Sequence, residues 1–184
     1  MTRRALLTLL VLATACGRPA GVVVPQPVEA PGPADIVTRV ILIGDAGSPK
    51  PGDLVLEAMS RAAGELADRT TVVFLGDNIY PRGVPAADDP DRPVAETKLP
   101  RQVDAVVRSG ARGIFVPGNH DWAKHGADGL NAILRQYTLI TAWGEGRVEL
   151  LPKDGCPGPA VRDLRGLRLV LIDRQQRDAR RCDD

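Results

Sequence analysis

Thr71-Val72-Val73-Phe74-Leu75-Gly76-Asp77-Asn78-Ile79-Tyr80 is the stretch from which the rest of the chain can be read. Its apolar half is short, β-branched and aromatic, and it is stopped by Gly-Asp, so it reads as a buried strand over Thr71 to Leu75. Arg39-Val40-Ile41-Leu42-Ile43 has the same form before Gly44 and suits a strand buried on both faces. A third strand, Gly113 to Val116, runs into Pro117-Gly118-Asn119-His120-Asp121. Helical spacing fills the gaps. Asp53 can cap a helix whose Val55, Met59, Ala62 and Leu66 form one stripe, and a loop rich in Pro and Asp reaches Pro93. Val103, Val106 and Val107 mark a second helix ended by Gly110, with Pro100 either starting it or separating it from a turn at Val94 to Lys98. Leu130, Ile133, Leu134 and Tyr137 mark a third. Arg147 to Leu151, Val161 to Leu164 and Leu167 to Ile172 read as strands, the last two as a hairpin about Arg165-Gly166. The alternation predicts an α/β fold with a parallel sheet and an antiparallel addition after it.

The composition fits one soluble domain. The chain has 184 residues, 43% hydrophobic and 26% charged, with a net charge of +1, which excludes a disordered tail and gives no electrostatic indication of a nucleic-acid partner. The longest apolar run, Ala5 to Ala15, is too short for the roughly 20 residues of a spanning helix. With only two each of Trp, Tyr and Phe, the core must rest on Val, Leu, Ile and Ala.

Arg3 and Arg4 before that apolar run make residues 1–15 read as an export signal. Leu12-Ala13-Thr14-Ala15-Cys16 resembles a bacterial lipoprotein box, which implies acylation of Cys16 and attachment to a membrane of the cell envelope. Ala13-Thr14-Ala15 equally suits cleavage that releases a soluble protein. Residues 16–33 are a Pro-rich tether, and residues 34–184 are left to fold. Acylating Cys16 leaves Cys156 and Cys182. These either remain separate thiols or close a disulfide contributing about 3 to 4 kcal/mol by the chain-entropy account.

The strand exits carry the chemistry. Parallel strands bring their carboxyl ends to one edge, where ligands collect, and here those ends carry Gly44-Asp45-Ala46-Gly47, Gly76-Asp77-Asn78-Ile79-Tyr80 and Gly118-Asn119-His120-Asp121. The glycine before each polar residue permits close backbone approach, so Asp45, Asp77 and Asn119 can converge. Carboxylate and amide oxygens beside histidine suit zinc, manganese or iron. Each motif alone is an ordinary turn.

Taken in order, these motifs resemble the calcineurin-like metallophosphoesterase superfamily over about residues 38–173. Gly47, where many members have histidine, together with Tyr80, makes the chain most similar to the purple acid phosphatase branch. That resemblance implies a two-sheet sandwich flanked by helices. It also implies two metal ions, iron with zinc, manganese or a second iron: Asp45 and Tyr80 on the first, Asp77 bridging both, Asn119 on the second. His120 would serve as hydrogen-bond donor or general acid at the leaving oxygen, with Asp121 orienting it. A metal-bound hydroxide would attack a phosphate monoester or diester on a phosphorylated small molecule or protein.

The family completes its centre with a lone histidine and a Gly-His-x-His pair downstream, but this sequence holds only His120 and His125, the latter in a glycine-flanked loop where a solvated side chain is expected. Both ions would be under-coordinated. The chain therefore reads as an amino-terminal part of a longer metallophosphoesterase, lacking most of the second sheet and leaving apolar faces exposed. The alternative is a non-catalytic lipoprotein homologue that keeps the fold signatures. Arg174 to Asp184 has no core pattern and reads as surface chain.

Overall fold

Strand order decides where the helices lie. In a computed structural model, which describes residues 30–175, β1 (Arg39–Ile43), β2 (Thr70–Phe74), β3 (Arg112–Phe115) and β4 (Val148–Leu150) form one sheet in the order β1-β2-β3-β4. All three pairings are parallel. The connections are α1 (Leu54–Gly64), α2 (Arg92–Ser109) and α3 (Gly129–Trp143). Because the order never reverses, right-handed crossovers put every helix on the same face. That face carries the larger core, in which Val72, Phe74, Phe115 and Leu150 meet Leu56, Met59, Leu99, Val103 and Ile133. β5 (Ala160–Leu164) and β6 (Leu167–Leu171) pair antiparallel as a hairpin turning at Arg165-Gly166, as expected, with Gly166 at φ 73°. The smaller second core, Val73, Ile114, Leu151 and Leu171, joins the hairpin to the other face.

These layers correct several expectations. β1 is an edge strand with Leu42 61% exposed, whereas β2, buried at every residue, is covered on both faces. β4 extends the parallel sheet instead of joining the antiparallel addition. In α1, Asp53 accepts from the N–H groups of Val55 and Leu56 as a cap should, but the buried stripe is Leu56, Met59 and Ala63, and Val55 points outward. α2 runs unbroken through Pro100 from Arg92 and is ended by Gly110 at φ 75°. A mid-helix proline costs about 3 kcal/mol locally. Ala95 and Leu99 before it and Val103 and Val106 after it are buried together, and that burial offsets the loss.

The chain's two phenylalanines, Phe74 and Phe115, are register partners on β2 and β3, stacked with ring centroids 4.2 Å apart. Residues 30–33, the described end of the expected tether, are exposed. The signal segment, Cys16, Cys182 and most of the terminal Arg174–Asp184 segment lie outside the described residues. Among the described residues no helix is long and apolar enough to cross a membrane.

Candidate metal centre

The exits of β1 and β2 place their aspartates alike. Asp45 and Asp77 each follow a glycine and each adopt a left-handed backbone, φ 56° and 55°, a conformation that Asp tolerates better than most residues. The Asp45 N–H donates to the Gly76 carbonyl at 3.3 Å, tying the two exits together. The expected close backbone approach is real at two of the three glycines. A Cβ on Gly118 would lie 2.3 Å from the Asp77 nitrogen, and one on Gly76 would lie 2.8 Å from the Gly118 Cα, whereas Gly44 faces open space.

Tyr80 joins the two carboxylates. Its hydroxyl donates to Asp45 Oδ1 at 2.7 Å and lies 3.3 Å from Asp77 Oδ2. The hydrogen bond to Asp45, with burial and the neighbouring Asp77 charge, pushes the phenol well above its ordinary pKa. Gly47 is what leaves room for this ring. A Cβ there would stand 2.5 Å from the Asp77 carbonyl oxygen and 2.8 Å from a ring carbon of Tyr80, so histidine at this position and Tyr80 in this pose exclude each other.

His120 closes the cluster. Its N–H donates to Asp77 Oδ1 at 3.1 Å, its Nε2 lies 4.0 Å from Asp77 Oδ2, and its ring meets Tyr80 edge-on at 4.5 Å. Its Nδ1 is 2.6 Å from the Pro81 carbonyl, which can only accept, so Nδ1 carries the hydrogen. Asn119 lines, with Asp45 and Asp77, an open cavity of about 290 Å³ that Leu75, Ile172 and Arg174 also reach. His125 is exposed, as expected.

Asp121 departs from its expected role. Its carboxylate is fully buried and accepts from the N–H groups of Asn78, Ile79 and Gly118 and from Asn78 Nδ2, all at 2.8 to 3.1 Å. It locks the second and third strand exits together, and Pro81 is the group that orients His120. Burial pushes the Asp121 carboxyl up to about 7 against the pull of those donors.

Three supporting residues have no motif in the sequence that marks them. Gln102 on α2 donates to the Asn78 carbonyl at 2.7 Å in full burial, and Trp122 Nε1 donates to Asp173 at 2.7 Å, tying the loop after β3 to the end of the hairpin. Only the placement of Asp173 directly after the last strand hinted at the second pair. Cys156 is disulfide-bonded, and its expected partner Cys182 lies outside the described residues.

The donor set fits a hard cation: two carboxylates and a phenol oxygen meet at one point. A second position would have Asp77 and Asn119. Among the described residues no three His, Cys, Asp or Glu side chains gather as a metal-holding group. The chain matches no protein-family model, and no curated protein or solved structure is significantly similar to it.

Proposed function

We propose that this chain carries the first three site motifs of an exported, metal-dependent phosphoester hydrolase of the purple acid phosphatase type, built on the two-sheet metallophosphoesterase sandwich. The observation that carries the reading is the convergence of the three strand exits, with the Tyr80 hydroxyl between Asp45 and Asp77 and His120 packed against them. Asp45, Asp77 and Tyr80 would hold one ion, iron by the hardness of the phenol oxygen, and Asp77 and Asn119 a second, such as zinc, manganese or iron. When bound, such ions supply positive charge that offsets charge developing on a phosphate ester.

The chain's own residues act around them. Since Nδ1 of His120 is held by Pro81, the proton that this ring gains or gives sits on Nε2, on the side of Asp77. Asp121 acts as a positioning residue by holding the backbone at Asn78, Ile79 and Gly118. Substrates would be phosphate monoesters or diesters, on small molecules or proteins. A disulfide at Cys156 supports an oxidising, exported setting, and Cys16 would anchor the protein in the envelope.

Titration with ferric and zinc ions, followed by calorimetry and visible absorption, tests the reading together with phosphate release from an aryl phosphate. A phenolate charge-transfer band lost in Tyr80→Phe, and turnover abolished in Asp77→Ala, are expected. Turnover that survives Asp77→Ala would overturn it. The competing reading, a non-catalytic lipoprotein homologue, is favoured by the count of only two histidines. Near-stoichiometric, tightly held metal in the isolated chain contradicts that alternative.

A further inference from the structure

A net charge near zero conceals an uneven distribution. Two adjoining grooves of about 290 Å³ each run along the edge where the parallel strands begin, opposite the candidate metal centre, and share Thr71, Arg112, Asp163 and Leu164. Their carboxylates are already engaged: Asp68 with Arg69 at 3.6 Å, Glu149 with Arg162 at 2.7 Å, and Asp163 with Arg168 at 2.6 Å. Arg112, Arg147 and Arg165 line the same grooves, are exposed, and have no carboxylate partner among the described residues.

The fold spreads these three along the edge. Arg112 opens β3, Arg147 immediately precedes β4, and Arg165 sits in the hairpin turn, where its carbonyl accepts from Thr38 beside the start of β1. At about 4.8 Å per strand, the sheet from β1 to β4 is roughly 14 Å wide. That width exceeds one small anion and suits a surface that presents many. The carboxylates of Asp45 and Asp77 lie at the opposite edge, away from these arginines.

We infer that this arginine-lined edge docks on an anionic phospholipid bilayer, holding the candidate metal centre away from the membrane. The point of chain entry agrees with this. Val37 and Thr38, which line the second groove, lead into β1, so the described chain enters the sheet at this edge. The surface itself requires neither acylation nor the phosphoesterase reading.

Partitioning of the full chain carrying Cys16→Ser, measured by co-sedimentation with vesicles of phosphatidylcholine alone and with added phosphatidylglycerol, tests the inference. Using the ratio of the two cancels apolar binding by the leader. Arg112→Glu with Arg165→Glu should lower that ratio about 25-fold or more, at about fivefold per basic residue. Arg147 is spared because its Nη1 donates to the Gly110 carbonyl. Lys50→Glu with Lys124→Glu, which alters net charge equally at the other end, should change the ratio less than about twofold, and Arg112→Lys with Arg165→Lys should keep it. Equal losses in the two glutamate pairs, an unchanged ratio in the arginine pair, or binding of polyglutamate without binding of anionic vesicles would overturn the proposal.

Discussion

The Tyr80 hydroxyl donates its hydrogen to Asp45 Oδ1 at 2.7 Å while standing 3.3 Å from Asp77 Oδ2, so a single proton lies between two carboxylates from different strand exits. In the absence of a cation, that proton tempers the repulsion between them. Under the proposed function, a bound cation would take the place of that proton between the two carboxylates.

Tyr80 is therefore expected to ionise above the ordinary tyrosine value, chiefly because Asp45 accepts its hydrogen bond. Ultraviolet absorption titration of the ion-free protein, with Tyr80→Phe to assign the signal, should show this. Asp45→Asn should bring the ionisation down. The same substitution should raise ion-free stability by about 0.5 to 1 kcal/mol, because asparagine tolerates the left-handed backbone and carries no charge.

Asp121 makes stability depend on pH. Its folded value of about 7 lies above the ordinary 3.8, so the native chain binds this proton more tightly than the unfolded chain does. The contribution is fully present below about pH 4 and is lost as pH rises to about 7, a decline of a few kcal/mol at most. Asp128, lowered by its hydrogen bond to Arg135, acts in the opposite sense below pH 4. Denaturant midpoints of the ion-free protein across pH 4 to 8 measure the slope. Asp121→Asn should flatten it and lower stability throughout by about 1 to 3 kcal/mol, since its amide N–H groups would face N–H donors.

Gly47→Ala should displace Tyr80, because the added Cβ would overlap the Asp77 carbonyl oxygen and the tyrosine ring. About 1 to 3 kcal/mol of stability should be lost by overpacking, and the raised ionisation of Tyr80 should return toward its ordinary value. Chemical denaturation and the same absorption titration check both.

Phe115→Ala removes one ring of the stacked pair at the centre of the sheet, where both side chains are fully buried. A loss of about 3 to 5 kcal/mol in urea unfolding is expected, with cation binding weakened through the strand exit that follows.

The elements were largely legible because each rests on local rules. Short β-branched runs stopped by glycine gave the strands, Asp53 marked a helix start and Gly110 a helix end. The errors arose where distant contacts overrode those rules. Pro100 reads as a boundary locally, yet residues on both sides of it bury against the same sheet face. The stripe of α1 is turned from the predicted one because the sheet, rather than the helix, chooses which residues it covers.

For the site, the sequence alone determined which side chains meet at one edge, since parallel strands must end together and three of them end in Asp45, Asp77 and Asn119 with His120. Which way each side chain turns was decided only by the tertiary structure. Asp121 points inward because three backbone N–H groups from two loops need an acceptor in a buried place, and His120 is held by the Pro81 carbonyl. The arginines of the opposite edge are scattered along the chain and gather only when strand starts and a hairpin turn are packed side by side. Spacing along a chain reports periodicity, but the direction of a hydrogen bond between loops depends on where the other loop lies.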